Sequence, residues 1–239
     1  MSDHADDWFG PHLPRIALIA AFTAGLVTAQ LLAVKILELS VPGSALVITV
    51  PAGVLAYSIT FLATDCYTEL YGRREAQVVV NVGFASILLM LGLLWLAIVL
   101  PGDGEAGVDP ALFEEVVAPS SNVIVASLLA YVIAQNWDVF AFHRIRRATG
   151  QRLLWVRNLG STATSQGIDT VVFIVVAFWA MPSLVGIGSP LPWAVIWSLI
   201  VGQYVVKVLI ALFDTPLVYL VVGTIRRHPE LTVESAPAD

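Results

Sequence analysis

Apolar residues run along this chain in long blocks, broken by short polar segments, and the blocks have the length of a membrane crossing. A helix needs roughly 20 apolar residues to span the hydrocarbon. Six stretches reach that length: Ile16 to about Leu39, Leu46 to about Tyr67, Val78 to Leu100, Val123 to Phe142, Thr162 to Ala180, and Trp193 to about Val221. The pattern predicts an all-α membrane protein, a bundle of six transmembrane helices over residues 16–222. The whole chain, 1–239, reads as one integral membrane domain with a short cytoplasmic segment (1–14) and a flexible tail (228–239). The first stretch is too long for a cleavable signal peptide and carries Gln30 and Lys35. The last exceeds one span, and Pro216 inside it is expected to break or kink the helix.

Cations set the orientation. Arg15 precedes the first span, Arg73 and Arg74 follow the second, and Arg226 and Arg227 follow the sixth. Arg144, Arg146, Arg147, Arg152 and Arg157 lie between the fourth and fifth. With six alternating helices these segments all fall on one side. The opposite loops, Ser40–Ala45, Pro101–Asn122 and Met181–Pro192, contain no Lys or Arg. By the positive-inside rule both termini lie in the cytoplasm, and the protein in the cytoplasmic membrane.

Composition agrees. The chain is 58% hydrophobic and 13% charged, against about half and about a quarter in a soluble domain. No core of this size could hide that much apolar sequence, so lipid is the expected solvent. Cys66 is the single cysteine, which excludes an intramolecular disulfide and a Cys-based metal motif. No metal or cofactor is expected. A net charge of -6 argues against a nucleic-acid partner. The acidic outer loop, with Asp103, Glu105, Asp109, Glu114 and Glu115, reads as solvated surface.

The chemistry lies in polar residues that the spans carry at a cost. An ionisable group at the centre of a membrane helix costs roughly 2.5–3.5 kcal/mol on insertion scales, and it normally faces the bundle interior. Asp65 and Glu69 share a face at the end of the second span, with Glu69 near enough to Arg73 to be interfacial. On the fourth, Tyr131, Gln135, Asp138 and Phe142 form one face; Trp137 beside them suits an interfacial belt as well as a stacking role. The fifth carries the stripe Asn158, Ser161, Ser165, Asp169, flanked by Thr162 and Gln166. Asp169 lies about 15 Å from the inner boundary at 1.5 Å per residue, near the midplane. Gln203 and Lys207 are four apart on the sixth, with Asp214 seven further on. Asp169 and Lys207 can therefore pair across neighbouring helices. Gln30 is the deep polar residue of the first span.

Four segments, Ala63–Gly72 (ATDCYTELYG), Ala134–His143 (AQNWDVFAFH), Leu153–Phe173 (LLWVRNLGSTATSQGIDTVVF) and Tyr204–Tyr219 (YVVKVLIALFDTPLVY), resemble the queuosine-precursor transporter family. That family is also described as vitamin-uptake-transporter-like. The likeness runs in order along essentially the whole chain. It implies uptake of 7-deazaguanine precursors of modified tRNA bases, such as 7-cyano-7-deazaguanine, without an ATPase subunit. Asp65, Gln135, Asp138, Ser161, Thr162, Gln166, Asp169 and Lys207 match the family's polar pattern, while Gln30 stands where many members have Asn. The residues suit such a solute. A carboxylate, Asp138 or Asp169, can accept two adjacent N–H donors while Gln135, Gln166 or Lys207 donates to a carbonyl. A flat base stacks on Trp or Tyr.

Other flat polar solutes, a vitamin or an ordinary nucleobase, are alternatives within transport. An intramembrane enzyme is a different class, but no Gly-x-Ser-x-Gly or His-Glu-x-x-His occurs and no local motif fixes an aspartate dyad. An assembly subunit would need no polar stripe down the fifth span. A homo-oligomer is compatible with the sequence. Topology is open to direct test on a Cys66→Ala background. Ala106→Cys should react with an impermeant thiol reagent in intact cells, and Ala148→Cys should react only after lysis. Labelling of the second in intact cells overturns the orientation.

Overall fold

The computed structural model describes residues 12–40, 43–44, 47–104, 106–149 and 154–227, apart from the side chains of 142, 146, 148–149 and 154–159. Asn158, Arg152 and the tail after His228 thus fall outside the described groups. Helix α1 spans Leu13–Leu32, opened by Pro14, whose missing N–H and fixed φ suit a first turn. After α1 come strands β1 (Ile36–Ser40) and β2 (Val47–Pro51), then helices α2 (Gly53–Tyr71) and α3 (Arg73–Val99). A short helix α4 (Pro110–Val117) follows, then α5 (Pro119–Thr149) and α6 (Leu154–Val175). A π turn (Val176–Ala180), the five-residue α7 (Met181–Val185) and the long α8 (Trp193–Arg227) complete the described chain.

Among the described residues, five helical segments are long and apolar enough to cross a membrane: Leu13–Leu32, Arg73–Val99, Pro110–Ile145, Gly160–Val185 and Trp193–Arg227. Helix α2 has 19 residues, about 28 Å at 1.5 Å per residue, but Thr60, Thr64, Asp65, Thr68 and Glu69 lower its hydropathy.

The expectation of an all-helical chain is corrected between the first two spans. Strands 36–40 and 47–51 pair antiparallel, with Ile36 facing Pro51, Glu38 facing Thr49 and Ser40 facing Val47. In the sequence, the β-branched run Val47-Ile48-Thr49-Val50 and the Pro42-Gly43 dipeptide carry the strand signal. A reading by hydropathy alone absorbs both into helices. Consequently α1 ends at Leu32, where Leu39 was expected, and α2 begins at Gly53, where Leu46 was expected. Strand edges are unsatisfied backbone, tolerable at membrane depth only where protein covers them. Here β2 packs on α8. The cover is very close at Gly202: a Cβ there would lie 2.1 Å from the Thr49 carbonyl oxygen. Ser198 adds a hydroxyl bond to Thr49 at 3.0 Å.

Small residues also set the α1–α2 contact. Gly25, Ala29 and Ala33 meet Gly53, Ala56 and Thr60, and a Cβ on Gly53 would fall 2.6 Å from the Ala29 carbonyl oxygen. Without a hydrophobic drive between helices in lipid, close backbone approach is what holds such a pair. Helix α8 runs through Pro216 without breaking. Ion pairs tie Arg15 of α1 to Glu75 of α3, and Arg226 of α8 to Glu69 of α2 at 3.0 Å. The first turn of α1, the last of α2, the first of α3 and the last of α8 therefore share one end of the bundle. At the other end Asp109 caps α4, accepting from the N–H groups of Ala111 and Leu112 at 3.0 and 3.1 Å.

Gly202→Ala should lower thermal stability in detergent, by about 1–3 kcal/mol, because neither backbone can give way cheaply. Gly92→Ala, with open space around its Cβ position, should be neutral or slightly stabilising through helix propensity. Equal melting temperatures for the two variants would show that the hairpin does not depend on this contact.

Candidate solute site

A narrow cavity lies at mid-bundle, where α1, α2, α5, α6 and α8 converge beside the end of β2. Each element contributes a residue for a local reason. The close packing of α1 on α2 turns Gln30 inward, where it is only 1% exposed. Ser127 of α5 donates to the Gln30 carbonyl oxygen at 3.1 Å. That bond fixes the amide, so its N–H₂ end is available to the cavity. From α6 comes Asp169, and from α8 Gln203 and Lys207, one turn apart on the same face. Lys207 Nζ donates to Asp169 Oδ2 at 2.5 Å. The lysine is 8% exposed and the aspartate 24%, so the acid is the partner that still reaches free space.

Gln203 is 8% exposed, and among the described residues its carbonyl oxygen accepts no hydrogen bond. An orphaned buried acceptor costs about 1–3 kcal/mol, and one that lines a cavity is where a ligand donor gains most. The walls are aromatic. Tyr57 and Phe61, edge to face at 5.3 Å, come from α2, and Phe173 comes from α6 one turn beyond Asp169.

Of the residues predicted to form the site, Gln30, Asp169, Gln203 and Lys207 meet here. Others lie elsewhere. Trp137 Nε1 donates to Thr164 at 3.2 Å, and Ser165 donates to Asp138 at 3.3 Å. These are two rungs of the α5–α6 seam, with equal sequence separation, and they hold the antiparallel pair together as polar glue. Ser161 is buried in α6, while Thr162 is exposed and Gln166 half-buried on it. Gln135 on α5 and Asp65 on α2 are exposed and lie off the cavity, and the Asn158 side chain lies outside the described residues.

Sequence reasoning passed over Tyr57, Phe61, Ser127 and Phe173. The available signals were the i, i+4 ring pair on α2, the lone hydroxyl in the apolar run of α5, and a ring one turn from Asp169.

A profile of the family described as "Putative vitamin uptake transporter" matches residues 51–221. The chain belongs to this family. Among curated relatives of this vitamin-uptake-transporter chain, the "Probable queuosine precursor transporter" of Bacillus subtilis (strain 168) is 34% identical over 173 residues, 72% of this chain and 71% of that protein. The "Queuosine precursor transporter" of Escherichia coli (strain K12) is 28% identical over 132 residues, 54% of this chain and 56% of that one. A third, the "Probable queuosine precursor transporter" of Haemophilus influenzae, is 25% identical over 127 residues, 53% of this chain and 51% of its own length. No solved structure gives a significant match. The family match takes in every cavity residue from α2, α5, α6 and α8, whereas Gln30 precedes it.

The Asp169–Lys207 pair gives a test specific to this pocket. Lys207→Met strands a carboxylate inside the bundle and should cost about 3 kcal/mol, the low end for breaking a buried pair because Asp169 keeps some access to the cavity. Adding Asp169→Asn removes the stranded charge and should restore most of the abundance and melting temperature. Thermal melts of the purified variants in detergent check this, and a single variant as stable as the parent would show that the pair does not hold the fold.

Proposed function

We propose that this protein imports a flat, neutral, purine-like solute across the cytoplasmic membrane, with 7-cyano-7-deazaguanine or a related queuosine precursor as its cargo. The observation that carries the reading is the unpartnered Gln203 carbonyl oxygen in a cavity walled by Tyr57, Phe61 and Phe173. A deazaguanine offers adjacent N–H donors and one carbonyl on its pairing edge. Gln203 and Asp169 can take the donors, Gln30 and Lys207 can give to the carbonyl, and the rings can take the faces. Lys207 and Asp169 cancel each other's charge, which suits an uncharged solute. The names of the three curated relatives point to the same cargo.

The finer topology belongs to this proposal: six spans including α2, with both termini in the cytoplasm. The shared end marked by the Arg15–Glu75 and Arg226–Glu69 pairs supports it, because the cations of α1, α3 and α8 gather there. Transport makes and breaks no covalent bond, so no catalytic residue is assigned. Trp137 and Asp138 act in this reading as structural supports of the α5–α6 seam, and Asp65 and Gln135 stand outside the binding set.

The test is a host unable to make deazapurines. Expression of this protein should restore the modified tRNA base when 7-cyano-7-deazaguanine is supplied. Gln203→Leu should lower uptake about tenfold at unchanged abundance, since it removes one solute hydrogen bond and an orphaned acceptor together. A vitamin is the second reading, favoured by the family's own description. Competition with guanine and biotin decides between them. Inhibition by biotin alone, with no restoration of the tRNA base, overturns the deazapurine assignment.

A further inference from the structure

A second cavity, of about 180 Å³, lies above the first toward the end of the bundle that holds α4 and α7. The two are stacked along the same elements. Ala33 lines the inner cavity and Val34 the outer, and Phe173 lines the inner while Ala177, one turn further along, lines the outer. Val123 lines both. The partition at that point is one apolar side chain thick.

Beside Val123, at the start of α5, stands Asn122, 2% exposed. Its Nδ2 donates to the Ile187 carbonyl at 2.8 Å, which fixes the orientation of the amide. Its Oδ1 has no partner among the described residues. Most buried acceptors are satisfied, so one left empty beside a cavity calls for a cause.

The roof is built differently from the walls. Ile187 sits between Gly186 and Gly188, both at φ 74°, in the left-handed region that glycine enters freely. Below it the π turn replaces regular helix. Its widened ring closes with the Met181 N–H on the Val176 carbonyl, and the Leu191 N–H donates back to the Phe178 carbonyl at 2.9 Å. Such π turns inside helices recur at functional sites. The roof is thus a short irregular segment and not part of a long helix.

We infer that the outer cavity is a second solute subsite on the access route, where Asn122 accepts a ring or amino N–H of a planar heterocycle before it passes Val123 into the inner cavity. This rests on the transport reading and on its orientation, which puts this end outside. Nothing covalent is involved; the step exchanges one acceptor, Asn122, for the next, Gln203.

The experiment uses intact cells carrying the Cys66→Ala protein, with and without Ser189→Cys on the exposed rim, and labelled 7-cyano-7-deazaguanine as probe. A bulky impermeant thiol reagent should cut uptake by Ser189→Cys at least tenfold and leave the parent unaffected. Excess unlabelled solute should slow the modification severalfold. Asn122→Leu also gives up the bond to Ile187, so its melting temperature should fall; at confirmed abundance its KM should nonetheless rise roughly tenfold, the loss of one hydrogen bond to the solute. A merely structural Asn122 would lower the melting temperature and leave KM alone, which overturns the subsite. Complete modification of Ser189→Cys with undiminished uptake overturns it too, as does a Ser189→Cys thiol that reacts in detergent but never in intact cells. Absence of uptake by the unmodified parent is the separate result that overturns the transport reading itself.

Discussion

Asp169 and Lys207 each carry a charge to mid-bundle, where lipid offers neither water nor a counter-ion, and everything around them is arranged so that they meet. A pair at 2.5 Å across α6 and α8 removes most of the penalty that either would face alone. It also fixes how the two helices are rotated. Once Lys207 faces α6, Gln203 one turn away faces the same space, and Val201, Val205 and Val208 are left exposed as the lipid-facing side. The rotation of α6 is fixed in the same way: Asp169 inward puts Phe173 inward one turn on, and Ser165 one turn back meets Asp138 of α5. The pair therefore orders the cavity through the periodicity of the helices on which it sits.

The hairpin is the second constraint. Strands so close to the membrane interior need every backbone group covered, and α8 supplies that cover only because Gly202 has no side chain to keep Thr49 away. Placing β1 and β2 between α1 and α2 shortens both helices on the same side. The space released beside Pro51 and Gly53 becomes part of the inner cavity. A straight six-helix bundle with full-length first and second spans would fill that space with side chains. The departure from regular helix is thus what leaves this pocket open.

Much of this was legible in the chain, and the remainder was hidden for physical reasons. Long apolar blocks gave the helices, because lipid tolerates few other patterns over that length. The Asp169–Lys207 pair was legible from depth alone: two costly groups at similar depth on adjacent spans have few other ways to be satisfied. Hydropathy concealed the hairpin, since Val, Ile and Leu are equally apolar in a strand and in a spanning helix; only β-branching and the Pro-Gly dipeptide separate the two. Helix faces placed Gln135 and Asp138 with Asp169, yet periodicity says which residues share a face and nothing about which neighbour that face meets. In the fold, that side of α5 meets the Thr164–Ser165 side of α6, and Trp137 and Asp138 are used up in the seam. The rings of Tyr57, Phe61 and Phe173 left no sequence signal beyond their spacing, because an aromatic residue in a membrane helix is unremarkable unless its neighbours are known.

The polar groups along the proposed route are amides more often than charges, and that choice has a consequence. Gln30 and Asn122 each have one end held by a hydrogen bond, and the carbonyl oxygen of Gln203 is unpartnered among the described residues, so these amides offer donors and acceptors without a net field. A bare carboxylate or ammonium lining a narrow cavity would attract ions and waters that a neutral heterocycle must then displace, and each displaced charge contact costs more than an amide contact. The two charges that are present neutralise each other. An amide also binds weakly enough, at about 0.5–1.5 kcal/mol net per hydrogen bond, for a solute to exchange one for the next. A carrier must release what it recognises, and a series of fixed amides with aromatic walls recognises a planar N–H edge without holding it too tightly to pass.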